Sequence, residues 1–353
     1  MSDTWEWDGS NWSQRLPATS PGRMTRHSMV YDSQRCRTVL YGGQNSAWGG
    51  LGNTWEYDGT SWSEKSASTT PGLRKHQAMA YDRMRGRVVL FGGENASDVL
   101  GETWEYDGTS WAKKTTTTSP QARSAARLVF DSTRGRMVLF GGVDSQHATW
   151  LTDTWEFDGI SWLQTAAAQS PPGVTGAEMA FDEARQRVVL FGGDQNGSAT
   201  GDARTWEYDG TGWKVVAYST PNGPSAWKGA ALAYDSARAR VVAFSGVTHV
   251  WPSWPNTNET WEFDGVSWSQ RQPATRPPIG PQYSMCFDAA RSRSVMLRET
   301  APAETWDWDG MSWSRPSPVT SPPFRENTVL VWEASRALAG IWRQAVSHLD
   351  APR

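Results

Sequence analysis

The stretch Thr54-Trp55-Glu56-Tyr57-Asp58-Gly59 decides the fold, because the chain returns to it again and again. The same letters, TWEYDG, begin at Thr103 and Thr205. TWEFDG begins at Thr154 and Thr260, TWEWDG at Thr4, and TWDWDG at Thr305. The seven copies stand 50, 49, 51, 51, 55 and 45 residues apart. Self-similarity at such a period marks an array in which one supersecondary unit stacks on the next. Inside the hexapeptide the Trp and the second aromatic are two apart, so they share one face of a strand. Asp-Gly then turns the chain as a tight hairpin does. A further strand follows with its own indole: Trp12, Trp62, Trp111, Trp162, Trp213, Trp268 and Trp313.

A second element alternates with the first. Tyr31-Asp32 leads into RTVLYGG, Tyr81-Asp82 into RVVLFGG, Phe130-Asp131 into RMVLFGG, and Phe181-Asp182 into RVVLFGG. Tyr234-Asp235 and Phe287-Asp288 lead into the weaker endings RVVAFSG and RSVMLRE, and a degenerate copy runs from Trp332-Glu333 to Trp342. Each unit therefore reads as four strands, A to D. Strand A ends on the acid that opens a turn. Strand B is apolar on both faces, as a strand packed between neighbouring sheets must be. Strand C is the hexapeptide, and strand D carries the second Trp.

The double glycine and the spaced aromatics, over essentially the whole chain, resemble those of bacterial kelch-repeat proteins, whose propeller is that of the galactose oxidase central domain. The resemblance implies an all-β, seven-bladed propeller with four-stranded blades. Counting phase predicts how it closes. Residues 4–15 supply only strands C and D, six full units follow, and residues 325–344 supply only strands A and B. The two halves add up to a seventh blade, which leaves no sheet edge at the seam. The expectation is one propeller domain over residues 1–353 with a tail at 345–353.

Lys and Arg total 34 and Asp and Glu 37, a net charge of −3. That balance lacks the basic excess of a nucleic-acid binder. No apolar run approaches the ~20 residues of a membrane span, and no signal peptide precedes the first repeat. The expected partners exclude nucleic acid and membrane. Two cysteines, Cys36 and Cys286, are too few for a disulfide framework. A cytoplasmic protein is expected, although a trimmed secreted domain would read the same way.

Most of the conspicuous residues recur by position and belong to the framework. Fourteen of the 23 Trp are the strand C and strand D indoles, and Trp7, Trp308, Trp332 and Trp342 fill positions that are Tyr or Phe in other units. The turn from A to B repeats acid-x-x-Arg seven times, from Asp32/Arg35 to Glu333/Arg336. A side chain that chemistry needs once is not supplied in every blade, so these acids and arginines read as turn caps and contacts between blades.

Subtracting the framework leaves Trp48, Trp150, Trp227, Trp251 and Trp254, all placed in B-to-C loops or at the start of strand A. Those segments emerge on one rim, called the top here. His147 and His249 fall in the same loops, and His27 and His76 begin strand A. Variable loops on a rigid scaffold are where binding and catalysis usually sit. The upper ends of the A strands add Arg26, Lys228, Tyr283, Arg325 and the neighbouring Arg127 and Glu178. Two readings stay open. In the first, a stand-alone propeller binds a peptide, a protein or a small polar ligand at the top rim and channel mouth. In the second, a cofactor-free isomerase, mutarotase, cyclase or lyase uses Glu178, His76, His27 and Arg127 at the same mouth, with Arg127 holding a carboxylate and Glu178 or His76 moving a proton.

Kelch relatives include copper-radical oxidases, sugar mutarotases, iron-dependent nitrile specifiers and adaptors. The copper-radical type needs a cross-linked Tyr–Cys, and Cys286 lies near Tyr283 without a His pair beside it. The iron motif Glu-x3-Asp-x3-His is approached by Glu178 and Asp182, but Gln186 stands where the His is needed. No metal-ligand spacing or phosphate-binding loop occurs, so the expectation is no metal and no cofactor.

Overall fold

In a computed structural model, residues 3–45, 49–144, 149–166, 168–195, 202–217, 223–225, 227–248, 256–280, 283–298, 300, 302–323, 328–333 and 337–343 are described. The turn from strand A to strand B explains why the acid-x-x-Arg unit recurs. In blade 1, Asp32 accepts the backbone N–H groups of Gln34 and Arg35 at 3.1 and 3.0 Å and the Arg35 Nε–H at 2.6 Å. The next residue is left-handed in every blade: Cys36, Gly86, Gly135, Gln186, Ala239, Ser292 and Ala337 all have φ between 51° and 65°. Cys36 is thus an exposed turn residue and part of the framework.

Seven four-stranded antiparallel sheets result, each in the order A-B-C-D. Blade 2 is typical, with strands Ala78–Asp82, Arg87–Phe91, Thr103–Tyr106 and Trp111–Lys114. Every A strand touches the A strands of both neighbouring blades, so these seven strands form the inner ring around a central channel. The B strands are the driest layer. Val88, Val89 and Leu90 are fully buried, packed from both sides by adjacent blades. The seventh blade joins Thr4–Trp7 and Trp12–Arg15 to Thr328–Glu333 and Leu338–Arg343. Its closing register pairs Trp5 with Ile341 and Trp7 with Ala339.

Two side-chain devices tie each blade to the next. The strand D Trp is at most 4% exposed and donates its Nε1–H to the hexapeptide Thr of the preceding blade. The donors run Trp62 to Thr4, Trp111 to Thr54, Trp162 to Thr103, Trp213 to Thr154, Trp268 to Thr205, Trp313 to Thr260 and Trp12 to Thr305, at 2.6 to 2.8 Å. This is why the motif begins with Thr: a buried indole N–H needs an acceptor. The turn arginine supplies the second tie. Arg35 lies over the Tyr106 ring of the next blade, 5.5 Å from its centroid, beneath Gly108. Gly108 has φ +97°, and a Cβ there would stand 2.4 Å from the guanidinium. The hexapeptide therefore ends in glycine for space as well as for the turn.

Among the described residues no helix is long and apolar enough to cross a membrane.

Candidate functional site

The top rim is built where each linker from strand D to strand A meets a B-to-C loop. Short bridges join them: Thr25 with Gln44, Lys75 with Glu94, Ser124 with Val143, Val174 with Gln195, and Trp227 with Thr248. The double glycine makes this junction. Gly43, Gly93 and Gly193 donate their N–H groups to the carbonyls of Arg74, Arg123 and Trp227 in the following blade, at 2.8 to 3.0 Å. A Cβ on the first glycine of each pair would press on the same carbonyls, at 2.6, 2.4 and 2.5 Å.

The linker residues fall into columns by position. Met24, Arg74, Arg123, Val174 and Trp227 fill the first column, and each is buried. Trp227 is therefore not a rim side chain. It is wholly buried, 6.1 Å from the Phe191 ring and against Gly246, plugging the interface between blades 4 and 5. The expectation that it stands open to a ligand is corrected.

Two positions on, the backbone is left-handed in five successive blades: Arg26 at φ 60°, His76 at 56°, Ala125 at 56°, Gly176 at 67° and Gly229 at 66°. These residues ring the channel mouth and link to one another. His76 N–H donates to the Arg26 carbonyl at 3.3 Å, Ala125 N–H to the His76 carbonyl at 3.0 Å, and Gly229 N–H to the Gly176 carbonyl at 3.3 Å. Blades 4 and 5 use glycine here, which is the unstrained choice. A Cβ on Gly229 would meet nothing within 4 Å, so that side of the mouth is roomy.

Blades 1 and 2 instead carry an arginine and a histidine in this strained conformation. Arg26 Nη1 donates to Gln44 Oε1 at 3.3 Å. His76 Nδ1 lies 3.1 Å from Glu94 Oε1, and Lys75 Nζ lies 3.3 Å from the same oxygen. Burial pulls the His76 pKa below its ordinary value, against the opposing pull of Glu94. A neutral imidazole whose Nδ1–H is given to Glu94 keeps its Nε2 lone pair as an acceptor, and Nε2 is buried with no hydrogen-bond partner among the described residues.

Arg127 and Glu178 come from the neighbouring inner strands of blades 3 and 4. Arg127 Nη2 donates to Glu178 Oε1 at 2.8 Å, and its Nε–H to the Ala177 carbonyl at 2.6 Å. Both side chains stay about one-third exposed. Burial raises the Glu178 pKa, with Arg127 opposing. The pair is a salt bridge with room to exchange partners.

The remaining predicted residues scatter. His27 is 1% exposed, beneath Gly43, and is not open to the mouth. Tyr283 is 8% exposed. It stacks edge-on against Phe244 at 5.0 Å, and its hydroxyl donates to the Pro278 carbonyl. Burial pushes its pKa up to about 12. His27 and Tyr283 are thus corrected from mouth residues to packed ones. Trp150 is half-buried and packs its Cβ against Gly173. Lys228 pairs by backbone with Val247. Trp48, Trp251, Trp254, His147, His249 and Arg325 lie outside the described residues.

Gln44 and Glu94 were missed. Both follow the double glycine directly, and the residue at that place changes from blade to blade: Gln44, Glu94, Val143, Asp194. That variation beside a pair shared by blades 1 to 4 was the available signal. At the opposite mouth Arg83 reaches past blade 3 to Glu183 of blade 4, at 2.9 Å, bonding Ser132 on the way at 2.7 Å. The bottom opening is thereby bridged.

Residues 2–163 match the family model described as the KLHDC2/KLHL20/DRC7 Kelch-repeats domain. No curated protein matches the chain. The matched part covers the N-terminal half of the closing blade and blades 1 to 3, and blades 4 to 6 repeat the same hexapeptide and turn. The fold is a β-propeller of seven blades, and over residues 2–163 its repeats are similar to those of the Kelch-repeats domain.

Proposed function

We propose that the chain is a binding module that takes a peptide segment or a small polar ligand into the upper channel mouth. The observation that carries this reading is the left-handed column. Arg26 and His76 occupy backbone that favours glycine, which costs each on the order of 1 kcal/mol, and strain of this kind gathers at functional sites. Lys75, Arg127 and Glu178 line one side of the mouth with donors and acceptors, and the buried Gln44 and Glu94 hold Arg26 and His76 in place. Gly229 leaves the blade 5 side open, so a ligand would lie over it and bond across to blades 1 to 4. Both donors and acceptors are on offer, which suits an extended peptide or a hydroxylated acid better than a plain hydrocarbon.

The test is a thermal-shift and NMR screen of peptide and polar-metabolite libraries against the whole chain. Binders should lose affinity tenfold or more in His76→Ala and Arg127→Ala and keep it in Arg83→Ala at the opposite mouth. Hits that ignore the two upper substitutions would defeat the reading.

One observation favours acid–base catalysis at the same mouth as a second reading: the neutral His76 held by Glu94 has the form of a general base. Turnover of a bound metabolite, falling with His76→Gln and with protonation below the ordinary histidine range, would select it.

A further inference from the structure

The strand C acid is ion-paired in six blades and abandoned in one. Glu6 meets Arg15 at 2.6 Å, and Glu56 meets Arg35 at 2.5 Å and Lys65 at 3.2 Å. Glu105 meets Arg85 and, at 3.4 Å, Lys114. Glu156 meets Arg134, Glu207 meets Arg185, and Glu262 meets Arg271 at 2.5 Å. Asp307, in the same place on blade 6, is 5% exposed and forms no ion pair among the described residues.

Two departures from the repeat produce this, together with an arginine turned to the next blade as Arg238 is in blade 5. The acid is one methylene shorter than glutamate. The residue nine positions on, which is a cation in four blades (Arg15, Lys65, Lys114 and Arg271) and Thr165 or Val216 in blades 3 and 4, is Pro316. The turn arginine of blade 6 also serves the next blade: Arg291 bonds Asp288 at 2.6 Å, the Ala337 carbonyl at 2.9 Å, and the Asp8 carbonyl.

The shortened acid fails its other neighbour too. Trp308 of blade 6 donates its Nε1–H to Glu262 of blade 5 at 2.8 Å. By position in the repeat, Trp7 is to Asp307 what Trp308 is to Glu262. Yet Trp7 Nε1 and Asp307 Oδ1 are both buried and both lack a hydrogen-bond partner among the described residues. Trp7 is fully buried and lies on the strand that closes the ring.

We propose that Asp307 makes the seam between blades 6 and 7 a pH-sensitive closure, in which the ring holds this carboxyl as the neutral acid and closes less tightly once it ionises. Among the described residues the charged and titratable groups around it are few. Its own blade contributes Asp288, Arg291, Arg293 and the buried Cys286 thiol, and Arg293 is drawn to Asp309 at 3.7 Å. The facing blade contributes the Trp7 indole, the backbone carbonyls of Asp8 and Ala337 that hold Arg291, and the apolar cluster of Trp5, Trp12, Leu330 and Ala339. Glu6 of that blade is already held by Arg15.

Burial pushes the Asp307 pKa from 3.8 up to about 7, with Asp288 adding to the rise and Arg293 and Arg291 opposing it. The sign follows. Between about pH 4 and 7 the folded ring keeps a proton that the unfolded chain has released, so this stabilisation is complete in acid and is lost as pH rises toward 7.

The experiment is urea unfolding of the whole chain from pH 5 to 8 for the wild type, Asp307→Asn and Asp307→Glu, with an NMR titration of the wild-type Asp307 carboxyl carbon. The unfolding constant of the wild type, relative to Asp307→Asn, should rise about tenfold to a hundredfold over that range. Asp307→Glu, whose carboxylate reaches Trp7 Nε1, should be more stable than the wild type at pH 8. Parallel profiles for the wild type and Asp307→Asn would overturn the proposal. So would a wild-type carboxyl titrating near 4, a measurement that decides the matter even if a variant fails to fold.

Discussion

Replacing Trp12 or Trp111 by Ala tests whether closure makes the last interface equal to the others. The two indoles have near-identical surroundings. Trp111 is 2% exposed, 5.1 Å from Tyr106, and bonded to Thr54 at 2.8 Å. Trp12 is 1% exposed, 5.3 Å from Trp7, and bonded to Thr305 at 2.6 Å. Truncating a buried Trp costs about 3–5 kcal/mol, and stranding the threonine hydroxyl adds about 1 kcal/mol. Each variant should therefore lose about 4–6 kcal/mol. In an open repeat array a terminal unit can fray separately, whereas a ring has no terminal unit. We expect both variants to unfold in one transition in guanidinium, followed by far-UV circular dichroism, with midpoints shifted alike. If Trp12→Ala shows a separate early transition while Trp111→Ala does not, blade 7 opens on its own and the reasoning fails.

Other outcomes follow from the same contacts. Deleting residues 1–15 bares the edge of Leu338–Arg343, so the truncated chain should aggregate or unfold; size-exclusion chromatography showing a monomer of unchanged Tm would contradict this. Gly108→Ala meets both a φ of +97° and the Arg35 guanidinium. It should cost about 2 kcal/mol or more, whereas Gly22→Ala, with nothing within 4 Å, should stay near neutral by the same denaturation assay. Ala125→Gly relieves a φ of 56° and should be neutral or stabilising by up to about 1 kcal/mol, the reverse of the usual loss on introducing glycine.

The ring was legible because its parts repeat. The hexapeptide interval, the Asp-Gly turn and the half-units at each end gave seven blades and the seam, and the observed strands follow that phasing. The recurring strand D Trp and the turn arginines work as framework, because the indoles bond the preceding blade and the described arginines reach the next one, Arg35, Arg85, Arg134 and Arg185 over a ring and Arg238 and Arg291 to backbone carbonyls. Subtraction was less able to place single residues on the rim. Trp227 looked unique because its column is chemically mixed, with Met24, Arg74, Arg123 and Val174 as its counterparts, although the whole column is buried. Sequence spacing locates a residue along a strand, but whether its side chain turns toward a ligand or an interface depends on the linker's φ and ψ. The same limit hid the pairing of His76 with Glu94, since residues 18 apart meet only when linker and loop bridge.

The Trp-to-Thr bonds run one way round the ring, each blade donating to its predecessor, and the seam interrupts none of them. At the seam the strand starting at Thr4 and the strand ending at Arg343 lie side by side, Trp5 facing Ile341. A few residues could join those two strands, and new ends could be opened in a linker between any two blades. A set of circular permutants built this way would keep all seven indole bonds. The molecule's present beginning is then one of several equivalent places to start threading the same circle.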